Sequence, residues 1–426
     1  MTATKRATDT ATRTTTGRRR RAVRTGTAAL IAGAVASGAL AAAPAQASDR
    51  DRDARGGGHA VTQRAVEAMV AGGVPGVTVT ASDADGVWKS AAGTGDLRTG
   101  KKRGANDRFR VASITKTFVA TVLLQLEDEG KLSLDDTVEK WLPGVVRGNG
   151  HDGRKITVRQ LLNHTSGIYN YTDDPAFARK YLHEGFLKHR YDTVPPAYHI
   201  KVAMAHPPNF EPGKSFRYSN TGYVLAGLII EKASGTSYEQ QVRERIINPL
   251  KLRATHNPGN THHMPQPSSR AYSKLTPDPT ATKVHDVTVM NGSQGWADGD
   301  IISSAADLNR FYKALIRGEL LSPKQLTAMK TTGPEGYGLG LFKTETTCGT
   351  TLWGHSGGAA GSLSDALTTE DGSRQLAFNA NGDYDVTPAS FQRVVEAEFC
   401  GTEPGTPPKA TTDAGADAHV LRTGRG

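Results

Sequence analysis

Cysteine is nearly absent from this chain of 426 residues: Cys348 and Cys400 are the only two. So small a count excludes a disulfide-dense scaffold, and nothing in the spacing of the pair suggests a metal site. No internal repeat is present, which removes the solenoid architectures. Long apolar runs are lacking too, since the one sustained stretch, residues 27–40, is too short to anchor the chain in a bilayer. Acid is scarce at the start, where Asp9 is the single carboxylate against Lys5, Arg6, Arg13, Arg18, Arg19, Arg20, Arg21 and Arg24.

A basic opening, a short apolar core and Ala45-Gln46-Ala47 before Ser48 together form a cleaved export signal over residues 1–47. The four arginines before the core permit the twin-arginine route. Eight cations and one acid leave with the leader, so the formal charge falls from +10 to +3. That small remainder excludes nucleic acid as a partner. The mature chain is expected to be secreted, with no stable membrane anchor, and monomeric. In oxidising surroundings an even pair of cysteines favours a Cys348–Cys400 bridge, worth ~4 kcal/mol in the chain-entropy picture.

Charge and glycine in "SDRDRDARGGG" predict a disordered lead-in over residues 48–58. After it, "GVPGVTVTASDADGVWKSAAGTGD" reads as a hairpin turning at Asp85-Gly86. Residues 114–129 read as a helix apolar almost all round, ended by Gly130. Helices and long loops follow to about residue 290, with an irregular excursion over residues 256–285. "SSAADLNRFYKALIRGEL" then predicts a helix capped by Ser303 or Ser304. Strands are expected in "GYGLGLFK", "TLWGHSGG" and "QLAFNANG", and a last helix in "PASFQRVVEAEF". The tail over residues 401–426 has no periodicity and is expected to be disordered. With β elements at both ends, the fold class is α+β. One antiparallel sheet from residues 59–125 and 290–400 is flanked by helices, and a mainly helical insertion fills residues 126–289, making a single unit over 59–400.

Chemistry concentrates at "SITK". Lys116 sits three residues after Ser113, on one face of a helix that is otherwise apolar. A serine needs a base within hydrogen-bond reach, and an apolar surround lowers a lysine's pKa enough for it to serve. Ser113 is the only serine with a lysine three residues on, and "RYSNTG" holds the only Tyr-x-Asn, at Tyr218 and Asn220. "WGHSGG" then places His355, Ser356 and Gly357 at a strand end.

This ordered set resembles the serine β-lactamase and penicillin-binding-protein superfamily, in the branch of class C β-lactamases and secreted D-alanyl-D-alanine carboxypeptidases. The likeness runs over residues 60–400 and includes "LLNHTSGI", "YGLGL" and both cysteine positions. It implies an acyl-enzyme on Ser113, with Lys116 as base, Tyr218 as proton shuttle and Asn220 on Lys116 or the substrate. It further implies an oxyanion hole from the backbone of Ser113 and Gly358, and His355, Ser356 and Gly357 along the substrate. D-Ala-D-Ala stem peptides of peptidoglycan and β-lactams are the implied substrates, with no cofactor and no metal. A β-lactamase, an esterase, a D-amino-acid amidase or aminopeptidase, and a non-catalytic penicillin sensor are the alternatives.

Two departures stand out. Phe342 and Lys343 follow "YGLGL" where some relatives carry an arginine for a terminal carboxylate, so that grip falls to Lys343. Glycine replaces a common threonine in "HSGGAAG". Trp296 is expected either to wall the pocket or to fill the core. Asp298 and Asp300 read as solvated loop acids, and His262-His263 lacks a third metal ligand.

Overall fold

The computed structural model describes residues 58–403. The expected export leader over residues 1–47, most of the expected lead-in and the tail beyond Glu403 lie outside the described residues. Among those residues, no helix is long and apolar enough to cross a membrane.

The chain opens with helix α1 (Ala60–Ala71) and strands β1 (Gly76–Ser82), β2 (Val87–Asp96) and β3 (Lys101–Lys102). Asp83 to Gly86 make the β1–β2 turn, where Asp83 donates its amide to the Gly86 carbonyl. Much later come β4 (Phe342–Glu345), β5 (Thr351–Ala359), β6 (Ser362–Thr369) and β7 (Gln375–Ala380). These seven strands form one sheet in the order β4-β5-β6-β7-β1-β2-β3. The join between the two ends of the chain is the antiparallel β1–β7 ladder, with Val79 opposite Phe378.

Alternation along the strands decides what covers each face. Val77, Val79, Leu376 and Phe378 look towards α1 and the last helix, α5 (Pro388–Cys400), and form one apolar cluster with Val66, Phe391 and Val394. The other face is small and polar, with Thr78, Thr80, Ser364 and Ala366, which lets α4 (Ala305–Ile316) pack closely on it. Ser304 caps α4 by accepting the Asp307 amide, and Asn309 donates to the Thr80 carbonyl. Beyond α4 lies the larger core, built on α2 (Thr115–Asp128) and α3 (Asn220–Ser234). As the sequence predicts, α2 is buried nearly all round, and Gly130 with φ +70° follows its end.

One strand expectation needs correction. "GYGLG" is not extended; only Phe342–Glu345 enters the sheet. Gly336 and Gly340 take φ of +72° and +69°, bending the segment over α2. At Gly340 a Cβ would stand 2.9 Å from the Lys116 carbonyl oxygen, so the close approach itself requires glycine. The irregular excursion over 256–285 holds only the short strands Tyr272–Ser273 and His285–Asp286. A disulfide joins Cys348 to Cys400 and so ties the β4–β5 turn to the end of α5. Gly401 to Glu403 stay on the molecule, with Glu403 paired to Arg64 of α1 at 2.6 Å.

Candidate active site

Ser113 sits in a single 3-10 turn, Ala112–Ile114, directly before α2. Ala112 holds φ at +48°, a left-handed conformation that costs an alanine on the order of 1 kcal/mol. The sharp turn brings Ser113 beside β5. A Cβ on Gly357 would lie 2.0 Å from the Val111 carbonyl oxygen and 3.1 Å from the Ser113 nitrogen. Glycine therefore lets the strand edge press on the serine turn.

Lys116, one helical turn on, is wholly buried, and its ammonium has three acceptors. They are Ser113 Oγ at 2.9 Å, Asn220 Oδ1 at 2.8 Å and the Asp298 carbonyl oxygen at 2.8 Å. Burial lowers the lysine pKa to about 8, with the Asp298 carboxyl opposing the shift. The rings of Tyr218 and Tyr223 lie 5.0 and 5.5 Å from Nζ.

Tyr218 and Asn220 come from the entry to α3. Asn220 takes an acceptor on each side: its amide donates to Asn170 Oδ1 and its side chain to Thr172 Oγ1. The Tyr218 phenol is hydrogen-bonded with Ser113, while burial holds its pKa well above 10. His164 stacks obliquely on Tyr218 at 4.2 Å between ring centres. His355, on β5, is buried and engaged at both ring nitrogens, with Tyr337 Oη at 2.8 Å from Nε2 and the Ser356 carbonyl at 2.5 Å from Nδ1.

The structure thus gathers Ser113, Lys116, Tyr218, Asn220, His355 and Gly357 around one point, with Gly358 next along the same strand edge. Other expected residues lie elsewhere. Trp296 packs on Gly227 of α3 and edge-on to Tyr238, and its indole donates to Glu239, so it fills the core. Lys343 is exposed and pairs with Trp353 across the ladder, on the sheet face of His355 and Gly357 but four residues back along β5 from Gly357. The Ser356 side chain shares a sheet face with Asp365 and so opposes that of His355.

Asp298 and Asp300 are not solvated. Both are buried, Asp298 accepting from Tyr171 Oη at 2.9 Å and Asp300 from Asn257 at 3.0 Å and from Tyr238. Burial pushes Asp298 up to about 7 and Asp300 well above the usual carboxylate range. Sequence reasoning passed over Tyr171, His164 and Tyr337. The quoted segments "LLNHTSGI" and "YGLGL" were the available signal for the last two.

Comparison with known proteins places the fold in a known family. The Beta-lactamase family model matches residues 62–394. The chain belongs to the Beta-lactamase family. This family member is 30% identical to penicillin-binding protein 4* of Bacillus subtilis over 258 residues, 58% of this chain and 53% of that one. The match thus spans about half the length of that relative. Among solved structures, a D-stereospecific amidohydrolase from a Streptomyces species is 55% identical with a TM-score of 0.76, covering 81% of this chain and 99% of its own. A D-amino acid amidase from Ochrobactrum anthropi SV3 is 26% identical with a TM-score of 0.68, covering 79% and 98%. The fold is that of the family, and the protein is a serine hydrolase of it.

Proposed function

We propose that this protein hydrolyses amides of D-amino acids or short D-peptides through an acyl-enzyme on Ser113. The observation that carries the reading is the 2.9 Å contact between Ser113 Oγ and a fully buried Lys116 ammonium. At neutral pH a lysine near 8 is deprotonated in an appreciable fraction of molecules, and that form takes the Ser113 proton as Oγ attacks the amide carbon. The tetrahedral oxyanion forms on the backbone N–H groups of Ser113 and Gly358, each donor commonly worth ~3 kcal/mol. Tyr218 has the opposite assignment. With its pKa well above 10 it keeps its proton, and donates it to the leaving nitrogen as the C–N bond breaks. Lys116 passes the serine proton on to Tyr218, and water then cleaves the ester, its oxygen bonding the acyl carbon as the C–O bond to Ser113 breaks and one of its protons restoring the serine hydroxyl.

Preference for an amide over a free C-terminal carboxylate rests on charge. Lys116 is committed to Ser113 and Asn220, and His355 has both nitrogens engaged. The likeness to the D-stereospecific amidohydrolase supports the same choice. Likeness to penicillin-binding protein 4* supports a second reading, a D-Ala-D-Ala carboxypeptidase exported through the leader and acylated by β-lactams.

Hydrolysis of D-phenylalanine amide, its L enantiomer and a D-Ala-D-Ala tripeptide tests the choice. The D-amide is expected to turn over at least 100-fold faster than the L-amide, and Ser113→Ala to abolish it. Faster turnover of the tripeptide than of the D-amide would transfer the assignment to the carboxypeptidase. Failure on all three would end both.

A further inference from the structure

Strand β6 carries an acid where its pattern calls for an aliphatic residue. Leu363, Asp365 and Leu367 share the face of the sheet that packs with Phe391, Val394 and Val395 of α5. The Asp365 carboxyl is buried and forms no ion pair among the described residues, and its Oδ1 has no hydrogen-bond partner. Directly opposite it in the ladder, Ser356 buries a hydroxyl that is equally without partner. The Ala366 amide reaches the Asp365 carboxyl, but the orphaned Oδ1 and the neighbouring hydroxyl remain costly in an apolar layer, and a ligand donor that reaches Asp365 removes part of that cost.

There is room for one. Asp365 lines a cleft of about 90 Å³ between β4, β6 and α5, walled by Phe342, Leu367, Phe391 and Val395. Its charged lining is mainly acidic, with Glu335, Glu345 and Glu396 beside Asp365 against the single cation Lys343. Lys343, the cation at this edge, is exposed and shares a face with its cross-strand partner Trp353. None of Ser113, Lys116, Tyr218 or Asn220 lines the cleft, so it is separate from the catalytic point.

We propose that this cleft binds a small primary ammonium carrying a short aliphatic chain. The ammonium donates to the Asp365 carboxylate, and the chain lies against Phe342 and Phe391. A neutral ligand of the same shape leaves the carboxylate uncompensated, and a large one does not fit the volume.

Calorimetric titration of the full chain with n-butylammonium chloride at pH 8.5 tests this, with n-butanol as the uncharged control. That pH lies above the value of about 7 to which burial raises the Asp365 carboxyl. The expected result is one saturable site for butylammonium, with n-butanol and the Asp365→Asn variant each at least tenfold weaker. Val395→Trp, which fills the cleft from α5 and leaves both polar groups in place, is expected to abolish binding. No saturable binding to the wild type would overturn the proposal, as would equal affinity for Asp365→Asn or undiminished affinity for Val395→Trp.

Discussion

Lys116 and Asp298 meet twice: the ammonium donates to the Asp298 carbonyl at 2.8 Å, and the aspartate's own carboxyl, bonded to Tyr171, opposes the fall of the lysine pKa. An ionised Asp298 favours the protonated lysine, which cannot accept the serine proton. A neutral Asp298 releases it.

Asp298→Asn therefore lowers the Lys116 pKa further, because the anion that raised it is gone. The groups left around Nζ are Ser113, Asn220 and the rings of Tyr218 and Tyr223, none of them anionic at neutral pH. The acid limb of the kcat/KM profile is expected to move down by about one pH unit. Rates on a D-amide from pH 5 to 10 check it, and an unmoved limb would separate Asp298 from the base.

Lys116→Ala and Tyr218→Phe are each expected to slow acylation by ~100-fold or more, on general acid–base grounds. The two should differ in pH dependence. Loss of Tyr218 removes a proton donor and leaves the limb set by Lys116, whereas loss of Lys116 removes that limb. Stopped-flow acylation with a chromogenic ester or amide measures both, and wild-type rates in either variant exclude its residue.

Asp365 should make the protein less stable as pH rises. Its carboxyl titrates near 7 in the fold against an ordinary value of 3.8, so between those values the folded state binds more protons than the unfolded. Stability is lost across that window and levels off above it. Asp365→Asn is expected to recover on the order of 2–4 kcal/mol at pH 8 and little at pH 4. Denaturant melts at the two pH values settle the sign, and an equal effect at both would contradict the burial argument.

Reduction of the Cys348–Cys400 bridge opens a loop with a sequence separation of 52. The expected loss is ~2–4 kcal/mol, seen as a lower Tm in dithiothreitol and reproduced by Cys348→Ser without reductant. An unchanged Tm in both would show that the bridge adds no stability.

Motif order made the proposed reacting groups legible. Ser113, Lys116, Tyr218 and Asn220 declare themselves by local spacing, and the α4 cap at Ser304 by a rule that operates within one turn. What sequence could not yield depends on contacts across long separations. Asp298 reads as a loop acid until Tyr171 and Lys116 close over it. Trp296 is drawn into the core by Gly227, whose missing side chain leaves space for the indole. "GYGLG" alternates like a strand, yet its glycines permit the bend that the proximity of α2 demands.

The β1–β7 ladder has a consequence in time. Val77 of β1 pairs with Ala380, so the ribosome makes roughly three hundred residues before the first long strand meets this neighbour. Ser113 waits nearly as long for the β5 edge at Gly357. Until then the nascent chain carries a serine and a lysine with no strand to hold a substrate against them. A chain cut short before β7 is expected to be inert however complete its motifs are.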